Sequence, residues 1–290
     1  MAQISLSPVF VRAYEKLIRL KAQQGISRLR PYVAERHEPG QYKLWDRLSA
    51  GSFQQKTTQS QATPGNNSGT LTRRRSTVAT YDAGDVLENE DIVQVISNVE
   101  SSMVESMGKA MKRAVDDLII ASATAAAADE SGSTTSFPAG QTIGTGAEVM
   151  SFDIVTNATE IFLGNDIDPD TPKTMFVGQK QMRKLLQLTE ATSDDYANVK
   201  ALAGNGYIES WMGYRWVVST RLTKPTPGTD IRCFACTDRA LGLHVAKDIW
   251  SEIARDPSIS FAWRIYNALT MGCVRVEDEH IVQLYLADSL

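Results

Sequence analysis

The sequence predicts an α+β protein in which one very long helix separates a polar stretch with no core of its own from a compact body of short strands and helices. Three observations carry this. Ile92, Ile96, Val99, Met103, Met107, Ala110, Ala114 and Leu118 are spaced by 4, 3, 4, 4, 3, 4 and 4 residues, an unbroken helical stripe. Thr58–Tyr81, TQSQATPGNNSGTLTRRRSTVATY, holds three consecutive arginines, no acidic residue and almost nothing that could fill a core. The C-terminal half alternates β-leaning and helical tracts and has no internal repeat of roughly 20–50 residues.

At 290 residues the chain has room for about two compact units, and its 42% hydrophobic and 22% charged content is ordinary for a globular protein. The net charge of -4 is unevenly spread. Residues 1–50 carry nine basic against four acidic side chains, a net of +5, which leaves -9 for the remainder. A basic arm on an acidic body suits copies that meet arm to body. Three cysteines cannot build a disulfide framework and fit a reducing cytoplasm. Arg12, Glu15 and Lys16 interrupt the N-terminal apolar residues, so no signal peptide is expected. No apolar run approaches the roughly 20 residues of a membrane helix.

Taken in order, Ser7-Pro8 reads as a helix start, with Phe10, Ala13, Tyr14, Leu17 and Ile18 on one face up to about Gly25. Tyr32 to Leu48 is aromatic and extended. Phe53–Thr63 and the β-branched Thr70–Tyr81 flank the turn cluster Pro64–Gly69 and read as a long hairpin. Neither face of that hairpin is apolar enough to bury, so it needs a partner surface. The stripe then predicts a helix from about Asp91 to Ala128, some 50 Å long at about 1.5 Å per residue, lying across a sheet. DESGSTTSFPAG is a loop. Ser151–Leu163 reads as a helix, Thr174–Val177 as a strand running into the helix GQKQMRKLLQL, and Ile208–Thr220, Ile231–Cys236 and Leu241–Val245 as strands. A long β tract from Phe261 to Leu286 bends at VEDEH.

Chemistry finds little foothold. The CxxC at Cys233 and Cys236 sits inside an apolar strand-like segment, where thiols pack as small hydrophobes, and has no second pair for zinc. Asp166-Ile167-Asp168-Pro169-Asp170 opens like a calcium loop. It has Thr171 where the sixth-position glycine belongs and Val177 where the glutamate belongs, and so reads as a capping turn. Phosphate-binding loops, nucleophile elbows and HExxH are missing, so neither enzymatic activity nor a cofactor is expected. Arg73, Arg74 and Arg75 could neutralise nucleic-acid phosphate. Without interleaved aromatics, pairing with carboxylates on another copy is the favoured reading.

The order of basic arm, polar hairpin, long helix and α+β body resembles the major capsid proteins of tailed bacteriophages, which share the Hong Kong 97-type fold. TMFVGQKQMRKLLQL, GYIESWMGYRWVVSTRL and ARDPSISFAWRIYNALTMGCVRVEDEHIVQLYL are similar to local phrases of that family's body. The resemblance implies an N-terminal arm (1–48), an extended loop (49–86), and a peripheral domain with a spine helix (87–150). It further implies an axial domain (151–245) and a return to the peripheral domain (246–290). By the same resemblance, copies assemble as pentamers and hexamers into an icosahedral head shell around packaged double-stranded DNA, with a portal and a decoration protein as further partners and no membrane. The chain would be made in the host cytoplasm and end in the virion.

The family's charged helical prefix is not seen here, which implies a separate scaffolding protein or a mature chain. Contacts between copies are expected at Arg73, Arg74 and Arg75, at Lys56, at Arg12 and Arg19 of the arm, at Trp45, and at the acidic bend Glu277, Asp278 and Glu279. Lys56 has no identifiable crosslinking partner. The alternatives are an encapsulin-like compartment shell, a nucleic-acid-binding protein using the arginine triplet, and a thiol enzyme using Cys233 and Cys236.

Overall fold

The computed structural model describes residues 23–63, 65, 67–87, 99–188 and 207–288. The expected N-terminal helix up to position 22, with Arg12 and Arg19, lies outside these residues. So do Ile92 and Ile96 at the start of the long stripe.

The described chain runs β1 (Ala34–His37), β2 (Tyr42–Leu48), β3 (Leu71–Thr77), β4 (Ala79–Leu87), α1 (Val99–Thr124), β5 (Ala127–Ala128), β6 (Thr134–Thr135) and β7 (Thr142–Ile143). It continues with α2 (Phe152–Gly164), β8 (Lys173–Val177), α3 (Gln179–Leu185), β9 (Ser210–Trp211), β10 (Tyr214–Val218), β11 (Asp230–Thr237), β12 (Leu241–Asp256), β13 (Ala262–Arg275) and β14 (Ile281–Ala287). Two larger sheets form, ordered β1-β12-β13-β4 and β7-β14-β11-β8-β10-β9. The chain divides into two compact units, with borders inside β4, α1, β12 and β13.

The larger unit comprises Ser27–Ala79, Ala114–Lys247 and Thr270–Leu290. Its six-stranded sheet centres on β8, parallel to β10 and antiparallel to β11. All five residues of β8 are buried, as a strand covered on both faces requires. Phe176 of β8 stacks on Phe234 of β11 at 4.8 Å, with Tyr32 edge-on at 5.9 Å. Ser151 caps α2 by accepting from the Ile154 amide, and the helix buries Ile154, Val155, Ala158 and Phe162. Thr159 Oγ1 lies 3.1 Å from the Tyr214 hydroxyl, which ties α2 to β10.

The last turns of α1 bury Met111, Val115, Ile119, Ile120 and Ala123. The expected stripe, Met107, Ala110, Ala114 and Leu118, is only half-buried, so the buried row is its neighbour on a broad apolar face. The helix also stops at Thr124, four residues before the expected Ala128. Ala125–Ala128 has high helix propensity, but its carbonyls serve tertiary partners instead: Ala125 O accepts from Arg275 and Ala127 O from Arg74. Asp116, fully buried on α1, accepts from the Arg28 and Leu29 amides at 3.0 and 3.2 Å and from the Ser27 hydroxyl, which pins the incoming chain to the helix.

The described residues of the smaller unit are 23–26, 80–87, 99–113 and 248–269. It carries the far halves of β12 and β13, where Trp250 meets Tyr266 edge-on at 5.5 Å and Arg255 lies 4.7 Å over the Trp263 ring. Asn267 donates to Met107 Sδ, and Arg113 to Gln23 Oε1 at 2.7 Å.

Candidate interaction site on the arginine-bearing ribbon

The expected hairpin is present with a different pair of limbs. β3 pairs antiparallel with β2, from Tyr42 opposite Thr77 to Leu48 opposite Leu71. Phe53–Thr63 forms no strand. Its glutamines, serines and threonines offer nothing to dock, whereas Tyr42–Leu48 has an alternating anchor in Trp45. Ser49 and Thr70 close the ribbon: the Ser49 amide donates to Thr70 O at 3.1 Å, and the Thr70 amide to Ser49 Oγ at 2.8 Å. Gly69 is required at that closure, with φ of +84° and a Cβ that would fall 2.3 Å from Ser49 O.

Alternation gives the ribbon two faces. Lys43, Trp45 and Arg47 share the inner one with Thr72, Arg74 and Ser76. Trp45 packs on Ala127, Val274 and Val276, and its indole N–H donates to Ser76 Oγ at 3.0 Å. Gly242 of β12 makes room for it, since a Cβ there would lie 2.6 Å from the indole. Arg74, 5% exposed, donates to Asp278 at 2.7 Å and to Ala127 O at 3.3 Å. Asp278 also accepts from the fully buried Arg275 at 2.6 Å. That second guanidinium is further satisfied by the carbonyls of Ala125, Thr135 and Ser136, and it lies 5.0 Å from the centre of the Phe137 ring. Arg47 reaches Glu277 at 2.9 Å and Glu279 at 3.4 Å, and these carboxylates with Asp278 keep its pKa above the ordinary arginine value despite burial.

The outer face is different in kind. Arg73 bridges Asp46 at 2.8 Å and Glu130 at 3.2 Å in solvent. Around it Tyr42, Leu48 and Leu71 are each more than half exposed, and Phe53 at the start of the loop is fully exposed.

The acidic bend therefore does meet the arginines, but within one chain. Arg74 is buried, and Trp45 and Asp278 are half-buried, against their own body. Arg73, Glu277 and Glu279 are held in intrachain pairs with part of their surface free. Arg75 is half-buried beside Gly132, and its Nε has no hydrogen-bond partner. Lys56 stands exposed in the loop. Arg275 went unread in the sequence, although an arginine closing an apolar strand three residues before an aspartate is the signal that could have found it.

Cys233 and Cys236 are buried in β11, and desolvation pushes their thiols up, Cys233 to about 12. Such thiols stay protonated and inert at neutral pH. Among the described residues no group of three His, Cys, Asp or Glu side chains could hold a metal ion, and no helix is long and apolar enough to cross a membrane.

A family model described as phage capsid protein matches residues 6–287. Among solved structures, the chain is similar to the capsid of cyanophage P-SCSP1u at a TM-score of 0.70 and 17% identity, over 97% of this chain and 94% of that one. It is similar to a Mycobacterium phage Che8 chain at 0.71 and 15%, covering 96% of each. The capsid of a native GTA particle superposes at 0.71 and 10% identity, over 100% of this chain and 99% of that one. No curated protein sequence matches.

Proposed function

The chain belongs to the phage capsid protein family and has the Hong Kong 97-type capsid fold, and from that premise we propose that it is the major subunit of an icosahedral head, assembling as pentamers and hexamers around double-stranded DNA. The observation that carries this reading is the ribbon. Its inner face is bound to the body, while Tyr42, Leu48 and Leu71 on its outer face and Phe53 at the start of its loop stand exposed. A neighbouring copy that covers those side chains would recover the apolar burial they lack, at roughly 25 cal/mol per Å². Head-to-tail repetition of one such contact closes into rings, and many weak contacts made together hold a shell. In this assignment the extended loop of 49–86 works as the ribbon 42–77, because β2 is half of it. Scaffold, portal and decoration proteins are its proposed partners, and the virion is its proposed location.

The test is expression of the chain with and without candidate scaffold proteins, viewed by negative-stain microscopy. Capsomer rings or closed shells are expected. A chain that stays monomeric in every condition overturns the proposal.

A further inference from the structure

The loop that joins α2 to β8 reads in the sequence as the opening of a calcium loop, DIDPD, without the residues that would finish one. The structure shows what closes it. Asn165, at the end of α2, donates back to Ile161 O at 3.0 Å, and Asp166 takes a left-handed φ of 56°. The chain then passes Pro169 and Pro172, which fix φ and bring no N–H to satisfy neighbouring carbonyls. The carbonyls of Asp168, Pro169 and Thr171 converge on one point. At that point sits Nζ of Lys173, 3.2, 3.1 and 3.4 Å from the three oxygens. Lys173 is the first residue of β8 and only 7% exposed.

An ammonium has three N–H donors and no acceptor, so three carbonyls saturate it. Carbonyl oxygens around a compact monovalent charge are also what a bound potassium or ammonium ion requires. Burial lowers the Lys173 pKa, against the pull of the Asp170 and Asp168 carboxylates toward the charged form. Carbonyl cage, nearby negative charge and enclosure are the parts of a cation site whose cation is covalently attached.

We propose that the 165–173 loop is a monovalent-cation site occupied by the chain's own Lys173 ammonium, and that removing the side chain leaves a vacancy selective for ammonium or potassium. The strand it feeds is the central one of the six-stranded sheet, so filling the cage sets the start of β8.

The test is thermal unfolding of the full chain in choline, sodium, potassium and ammonium chlorides at equal ionic strength. Wild type should not discriminate among them. Lys173→Ala should lose about 5 °C in Tm in choline and regain at least half of it in potassium or ammonium. Lys173→Met, whose side chain fills the stem space without donors, should lose stability with no recovery in any salt. A Lys173→Ala variant as stable as wild type, or equally destabilised in every salt, overturns the proposal. Should that variant fail to fold, amine acetylation of the wild-type chain read by mass spectrometry decides instead. Lys173 should be modified far more slowly than the exposed Lys56, and equal rates overturn the proposal.

Discussion

Asp278 neutralises two buried guanidiniums at once, so the three members of this cluster differ in what their loss would cost. Removing Asp278 leaves Arg275 and Arg74 facing each other out of water, and Asp278→Ala should lower unfolding free energy by about 3–5 kcal/mol. Removing Arg74 leaves the Asp278–Arg275 pair intact, so Arg74→Met should cost about 1–3 kcal/mol. Denaturant unfolding of the two variants checks the order, and an equal or reversed cost would show that the aspartate is not the shared centre. The neighbouring His280, 2.8 Å from Thr237 Oγ1, adds a pH dependence. Burial, helped by Arg239, holds its pKa below the ordinary histidine value against the pull of Glu277, Glu279 and Asp238. The unfolded chain therefore takes the proton first. Stability is full above about pH 6.5 and declines as pH falls from there toward the lower folded value. His280→Gln should show a smaller drop in Tm between pH 7.5 and 5.5 than wild type does.

At the scale of elements, the ribbon separates a buried anchor from an exposed loop, and the two can be tested apart. Replacing residues 50–68 with a short glycine-serine turn, keeping Ser49, Gly69 and Thr70, leaves the Trp45 and Arg74 contacts in place. That variant should unfold within a few degrees of wild type yet form no shells, as judged by calorimetry and negative-stain microscopy. Normal particles would remove the loop from the assembly reaction. The sequence showed this element only in part. Thr70–Tyr81 announced a strand by its β-branched residues, but which limb it pairs with depended on Trp45 reaching Gly242, nearly 200 residues away, and on Arg74 reaching Asp278. No local pattern encodes that. Likewise the α1 stripe was legible because a helix repeats every 3.6 residues. Its true buried row and its stop at Thr124 were not, because the first depends on which side the body covers and the second on Arg275 claiming a carbonyl. Ser151–Leu163, Thr174–Val177 and the bend between β13 and β14 read correctly, each being set by short-range signals: a cap, an apolar run, and a charged turn.

At the scale of the whole molecule, the charge division between arm and body bears on how copies meet. Residues 1–50 carry +5 and the remainder -9, so if copies meet as proposed, the N-terminal segment would be drawn to a neighbour's body over a range of about 10 Å at 0.1 M salt, less the share that Arg47 already spends on its own chain. Part of the body's acidity is already spent within the chain, since Glu277, Asp278 and Glu279 answer Arg47, Arg74 and Arg275. If copies meet arm to body as proposed, the attraction would draw on carboxylates outside that cluster and on basic residues such as Arg12 and Arg19. Two Arg→Glu changes at those positions lower the arm's net charge by four, to +1. Arg12→Glu with Arg19→Glu should slow assembly several-fold at low salt, followed by light scattering of purified subunits. Added salt should slow wild type in the same way and change the variant little, because screening removes an attraction the variant no longer has. If the double variant assembles at the wild-type rate with the same salt dependence, the arm's charge does not guide assembly, and the contact between copies rests on the exposed apolar side chains of the ribbon.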